Sequence, residues 1–205
     1  MRYLFDNDFV IKLAQLDLLE RACSLIGATP SNTERLATLP YIARKKFGKK
    51  RGHDQETLKR ITDWCNRYGN ISEPGESAIL DEVNRSPAID PGEAILLAEA
   101  VNDSEVVFFT GDKRCLRALG TDPSLRSIAL TLRGRVQILE SIILQLVDHL
   151  GFEAVKRCVL AVETVDRMLD IALRTDEERS DIHAFEALRS AENEIERGCP
   201  GLIRH

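Results

Sequence analysis

Three acidic residues in this chain of 205 residues stand where carboxylates could act together: Asp6, Glu93 and Asp112. Asp6 follows the short apolar run Tyr3-Leu4-Phe5. Asp112 comes one glycine after Val106-Val107-Phe108-Phe109-Thr110. Glu93 belongs to Asp90-Pro91-Gly92-Glu93, which opens a helix leading into the second run. Each acid has an ordinary structural explanation, because aspartate is a common N-cap and Asp-Pro-Gly-Glu is a sound capping arrangement. The joint pattern says more. Two acids lie past the ends of strands, the third opens the helix before one of them, and all three would meet in one cleft. Buried like charges repel, and burial raises each pKa unless a cation neutralises the group. With no His nearby, Mg²⁺ or Mn²⁺ is the natural partner for an all-oxygen site. Such an ion positions a phosphate, activates a water and stabilises the leaving oxygen, which is the chemistry of phosphodiester hydrolysis.

The elements that must position these acids can be read coarsely. Tyr3–Phe5 and 106–110 are apolar, β-branched or aromatic runs, the signature of buried strands. Ser24–Ala28 reads as a weaker strand and Ser127–Thr131 as a fourth. Helical spacing is predicted over 8–22, 32–47, 54–68, 76–85, 91–101 and 113–119. Strands alternating with helices, and apolar on both faces, imply a parallel sheet covered on both sides. In such sheets chemistry sits beyond the carboxyl ends of the strands, the address of Asp6 and Asp112. From about residue 133 the pattern becomes helical. One helix is predicted over Val136–Leu150, a second over Val155–Leu173, and a third after the capping box Thr175-Asp176-Glu177-Glu178. The third is expected to bury Ile182, Phe185, Leu188 and Ile195. The domain reading is 1–132 for the α/β unit and 133–205 for a helical extension packed on it.

Composition bounds the function. Apolar residues make up 43% and charged residues 30%, so the chain can bury a core. Aromatics are 5%, which argues against an aromatic-lined sugar or single-strand platform. The net charge of −5 means that any nucleic-acid site must be local. Five cysteines without C-x-x-C spacing suit neither a disulfide framework nor a zinc site, and suggest reduced thiols in a cytoplasmic protein. No apolar run approaches a membrane span, and no membrane partner is expected.

The motifs together resemble those of PIN-domain nucleases. Residues 3–19, YLFDNDFVIKLAQLDLL, look like that family's opening strand, aspartate and helix. IDPGEAILLAEA at 89–100 is similar to the glycine–glutamate helix of one subgroup, and VVFFTGDKRCLRALG at 106–120 to its last acidic motif. The resemblance covers residues 1–131. It implies a PIN-like three-layer α/β/α fold with about four central strands, followed by the all-helical extension. It implies a Mg²⁺- or Mn²⁺-dependent nuclease, most often a ribonuclease, with Asp6, Glu93 and Asp112 as catalytic metal-binding acids. Glu34 is the candidate for a further acid, with Asp8 and Asp90 as alternates. The substrate implied is RNA, with DNA open. An antitoxin or other protein partner and a homodimer are compatible with the family, as are toxin, processing and defence roles.

A basic tract adds a candidate phosphate-binding surface: Arg44, Lys45, Lys46, Lys49, Lys50 and Arg51, followed by His53, Lys59 and Arg60. The competing explanation is a solvated loop. Lys113 and Arg114, beside Asp112, are candidates to contact the scissile phosphate. Two other functions compete. One is a non-catalytic PIN-like module that binds RNA or protein. The other is a phosphatase of the haloacid-dehalogenase type, since Phe5-Asp6-Asn7-Asp8 resembles its D-x-D motif with Asp6 as nucleophile. Phe9-Val10 departs from the glycine–threonine pair that motif expects.

Overall fold

Alternation within two strands sets the architecture. The structure, a computed structural model, describes residues 1–49, 51–71, 77–174 and 181–204. Strand β1 (Arg2–Phe5) is followed by α1 (Asn7–Gln15), α2 (Leu19–Ile26), β2 (Thr33–Arg35), α3 (Leu39–Phe47), α4 (His53–Cys65) and β3 (Gly69–Asn70). Next come α5 (Ala78–Asn84), α6 (Pro91–Asn102), β4 (Val106–Thr110), α7 (Lys113–Thr121), a 3-10 turn (Pro123–Leu125) and α8 (Arg126–Thr131). The chain continues through β5 (Val136–Ile138), α9 (Leu139–Leu150), α10 (Phe152–Leu160), α11 (Arg167–Leu173) and α12 (Asp181–Gly198).

Successive strand residues point to opposite faces. Phe5, Val107 and Phe109 enter one apolar cluster with α1, α4 and α9. Leu4, Val106 and Phe108 enter a second with α6, α7 and α8. A sheet buried on both faces needs strands apolar throughout, and β4 is buried at every position. Among the described residues the sheet has five strands in the order β3-β2-β1-β4-β5, every neighbouring pair parallel. Strand order therefore reverses between β1 and β4, where Phe5 pairs with Phe109. A crevice opens beyond the carboxyl ends at such a reversal, and ligands of open α/β sheets bind there. Trp64 and Tyr68 pack inward as expected, with Trp64 stacked 5.8 Å from Phe5.

Several expectations are corrected. The helix predicted over 8–22 breaks at Asp17, whose φ is +57°. The amide of Leu18 bonds back to the Leu13 carbonyl and that of Asp17 to Ala14, a Schellman-type stop. Ser24–Ala28 is not a strand; it is the end of α2, closed by Gly27 at φ +72°. The second strand is instead Thr33–Arg35, inside the predicted helix 32–47. Ser127–Thr131 is helix, and the strand lies at Val136–Ile138. The segment from 133 on is therefore not all-helical, because it supplies the edge strand beside β4. Its predicted second helix divides at 161–166, where Asp166 caps α11. Ile182 is exposed, while Leu188 and Ile195 are buried as expected. The capping box at 175–178 lies outside the described residues.

Candidate functional site

Asp6 follows β1, Asp112 stands two residues past β4, and Glu93 lies in the first turn of α6. All three line one cleft of about 620 Å³ at the sheet's carboxyl edge. Asp8 and Asp90, the two alternates, line it as well, so five carboxylates share one crevice. Glu34 does not. It bonds Arg2 at 2.7 Å, in a cluster toward the amino ends of the strands.

The three main acids are held differently. Glu93 and Asp90 form the full capping box: each carboxylate accepts the other residue's backbone N–H at 2.9 Å. Asp112 caps α7 by accepting the Arg114 amide at 2.7 Å. Asp6 stands at the N-cap of α1 but makes no side-chain capping bond. Its Oδ2 accepts the Thr110 hydroxyl at 3.2 Å. The same hydroxyl accepts the Asp112 amide at 3.0 Å, so Thr110 links the acids of β1 and β4. A Cβ on Gly111 would stand 2.6 Å from Asp8 Oδ2 and 3.3 Å from the Phe9 amide nitrogen, so a side chain there would push the Asp8 carboxylate aside.

Burial pushes the Asp6 carboxyl up to about 7, helped by the charge of Asp8 and opposed by the Thr110 hydroxyl. Burial also pushes Glu93 up to about 8, with Asp90, Asp112 and Asp6 adding repulsion. Carboxyls 6% and 2% exposed, on one cleft and without a matching buried cation, account for both shifts.

Nearby cations are committed elsewhere or loosely held. Lys12, which sequence reasoning missed, holds Asp8 at 2.6 Å, Asp166 at 2.7 Å and the Gly111 carbonyl at 3.1 Å. The four-residue spacing from Asp8 to Lys12 on one helix was its signal. Asp166, the cap of α11, had none. Lys113 does not face the cleft as a phosphate contact; it pairs with the buried Glu140. Arg114 reaches Asp112 at 3.1 Å and Glu93 at 4.0 Å with its side chain 60% exposed.

In the basic tract, Lys46 lines the cleft, while Arg44, Lys45, Lys49 and Arg51 are exposed along and after α3. Lys50 lies outside the described residues. His53 bonds the Gln15 carbonyl at 2.7 Å, and Arg60 pairs with Asp17 at 2.8 Å, so both hold helices together. Tyr41 on the cleft wall was also missed, and no motif marked it.

The donor set is what a hard divalent cation takes: carboxylate oxygens, two of them buried and short of positive charge. In the arrangement seen, no three His, Cys, Asp or Glu side chains among the described residues converge closely enough to hold one ion. The Arg114 guanidinium stands beside two of the acids instead. The chain matches no protein-family model, no curated protein and no solved structure. Among the described residues no helix is long and apolar enough to cross a membrane, and the five cysteines are free thiols.

Proposed function

We propose that the chain is a PIN-like nuclease that hydrolyses phosphodiester bonds, RNA being the first substrate to test, with Mg²⁺ or Mn²⁺ as cofactor. The carrying observation is the convergence of Asp6, Asp8, Asp90, Glu93 and Asp112 on the crevice where strand order reverses. Folding two of these carboxyls into the interior with raised pKa costs stability unless a cation joins them. Asp6, Glu93 and Asp112 would hold that cation only after their side chains close from the arrangement seen, in which no three acids among the described residues reach one ion. When bound, it would lower the pKa of a water and offset charge on the phosphate.

The chain's own residues do the rest. Thr110 orients Asp6 and fixes the turn carrying Asp112. Lys12 locks Asp8 against the Gly111 carbonyl, so the α1 and β4 sides of the cleft stay in register. Arg114, mostly in water, would give way to a bound cation, since an exposed ion pair is worth only about 0–1 kcal/mol.

The test is a cleavage assay on mixed RNA and DNA substrates with Mg²⁺, Mn²⁺ and EDTA lanes, repeated with Asp112→Asn. Metal-dependent cleavage lost in the variant, with circular dichroism unchanged, is the expected result. Wild-type-like cleavage by Asp112→Asn removes that residue from the site. Metal-dependent release of phosphate from a monoester without nuclease activity would instead favour the phosphatase with Asp6 as nucleophile. Binding without cleavage would favour the non-catalytic module.

A further inference from the structure

Helix α3 presents one stripe to the crevice. Thr38, Tyr41, Ile42 and Lys46 line the cleft, and Lys45 lies one turn beyond Tyr41. The spacing 38, 41, 42, 45, 46 is that of a single helical face. Tyr41 is 70% exposed and is the one aromatic among the exposed large apolar side chains of the described residues. The stripe is anchored to the acid site: the Asn7 amide, next to Asp6, donates to the Thr38 hydroxyl at 3.2 Å.

We infer that this stripe is a nucleotide subsite, in which an unpaired base stacks on Tyr41 while Lys45 and Lys46 take the flanking phosphates. This rests on the nuclease reading above and adds the selection it makes. An aromatic face open to water is a stacking surface for any base, because every base has a π-face. Lysines flanking it supply the sequence-independent attraction to a phosphate backbone. The acids of the cleft repel that backbone, so the lysines of α3 are what would hold the strand. A base inside a duplex has both faces covered by its neighbours, so the subsite selects single strands, loops and ends. One tyrosine is not the aromatic-lined platform that the composition argues against. It fixes one nucleotide.

The experiment measures binding of the full chain to fluorescein-labelled single-stranded 12-mers, RNA and DNA, by anisotropy in EDTA, where nothing is cleaved. Each is compared with a duplex of equal length and with 12-mers carrying an abasic site at successive positions. Tyr41→Ala should raise Kd about tenfold for single strands and leave the duplex unchanged, and Tyr41→Phe should stay within about twofold of wild type. In the wild type one abasic position should weaken binding, and in Tyr41→Ala that position should become indifferent. Lys46→Gln should lower the salt slope by about 0.7, whereas Tyr41→Ala should leave it unchanged. Unchanged binding by Tyr41→Ala, beside a wild type that cleaves with metal, overturns the subsite alone and hands the α3 face to a protein partner. Weakening that is equal with and without the base also overturns it, because the change is then indirect. A wild type that neither binds nor cleaves nucleic acid overturns both the subsite and the nuclease reading.

Discussion

The sheet carries an acidic cluster at each end, and the two are built on opposite terms. At the amino end, Glu34, Glu99 and Asp103 gather on one guanidinium, with Arg2 at 2.7, 3.0 and 2.7 Å. The bonds from those acids push the Arg2 pKa up. At the carboxyl end, Asp6 and Glu93 are more deeply buried, have no such cation, and carry pKa values pushed up. A cluster whose role ends with folding brings its own counter-charge. One that is buried without it is held at a cost that a ligand can offset. The first is a clamp on β1, β2, α6 and the turn before β4. On the proposed reading, the second is where a cation from solution would act.

The sharpest break between the two ends is in activity. Asp6→Asn should lower metal-dependent cleavage by at least about a hundredfold, since it removes charge at the reacting centre. Glu34→Gln, although it removes the candidate for a further acid, should stay within about twofold. Single-turnover cleavage of one labelled RNA compares them directly. Equal losses in the two variants would erase the distinction between clamp and site.

The two ends should also answer to pH in opposite directions. A carboxyl whose pKa is raised on folding binds protons in the folded state that the unfolded chain has already lost. Stability then falls as pH rises, here from about 4 through 7 for Asp6 and 8 for Glu93. For Asp6 the rise from 3.8 to about 7 bounds the effect at about 4 kcal/mol. In EDTA, Tm should drop between pH 5 and 8.5, and Asp6→Asn should flatten the drop and raise Tm at the alkaline end. Asp103 runs the other way. The Glu105 amide and then Arg2 hold its pKa down, so its contribution is present above pH 4 and fades only in stronger acid. Arg2→Met should cost about 1–2 kcal/mol at neutral pH, read as a fall of a few degrees in Tm. An Asp6→Asn variant less stable than wild type at pH 8.5 in EDTA would mean that its carboxylate is satisfied by groups already in the fold.

What the sequence disclosed follows from which signals are local. The helix at α6 is legible because Asp90, Pro91 and Glu93 form its capping box within four residues. Strand β4 is legible because five consecutive buried positions leave no other pattern. Strand β2 hides: Thr33 and Arg35 are buried although polar, and the Arg35 guanidinium donates to the carbonyls of Leu36 and Cys65, 30 residues away in the second case. Strand β5 hides because three residues run straight into α9 and borrow its apolar spacing. The acids Asp6, Glu93 and Asp112 are legible as candidates because each sits at an element boundary written in neighbouring residues. The pairing of Glu34 with Arg2 and of Lys113 with Glu140 is illegible because each partner is distant in sequence. Long-range ion pairs decide whether a charged residue is structure or site, and sequence spacing does not carry them.

The smallest effect concerns Arg114, which makes the carboxyl-end cluster resemble the amino-end one. Its guanidinium lies 3.1 Å from Asp112 and 4.0 Å from Glu93, but its side chain is 60% exposed, against 34% for Arg2. An exposed pair contributes at most about 1 kcal/mol, so a cation that displaces it gives up about fivefold in affinity. Arg114→Ala should therefore bind Mn²⁺ up to about fivefold more tightly, as measured by titration calorimetry at pH 8.5, above the raised pKa values of Asp6 and Glu93. At lower pH the gain should shrink, because removing the guanidinium also makes the acids hold their protons more firmly. Weaker Mn²⁺ binding in Arg114→Ala would reverse the assignment: Arg114 would then hold Asp112 in position for the ion, as Arg2 holds its own acids at the other end.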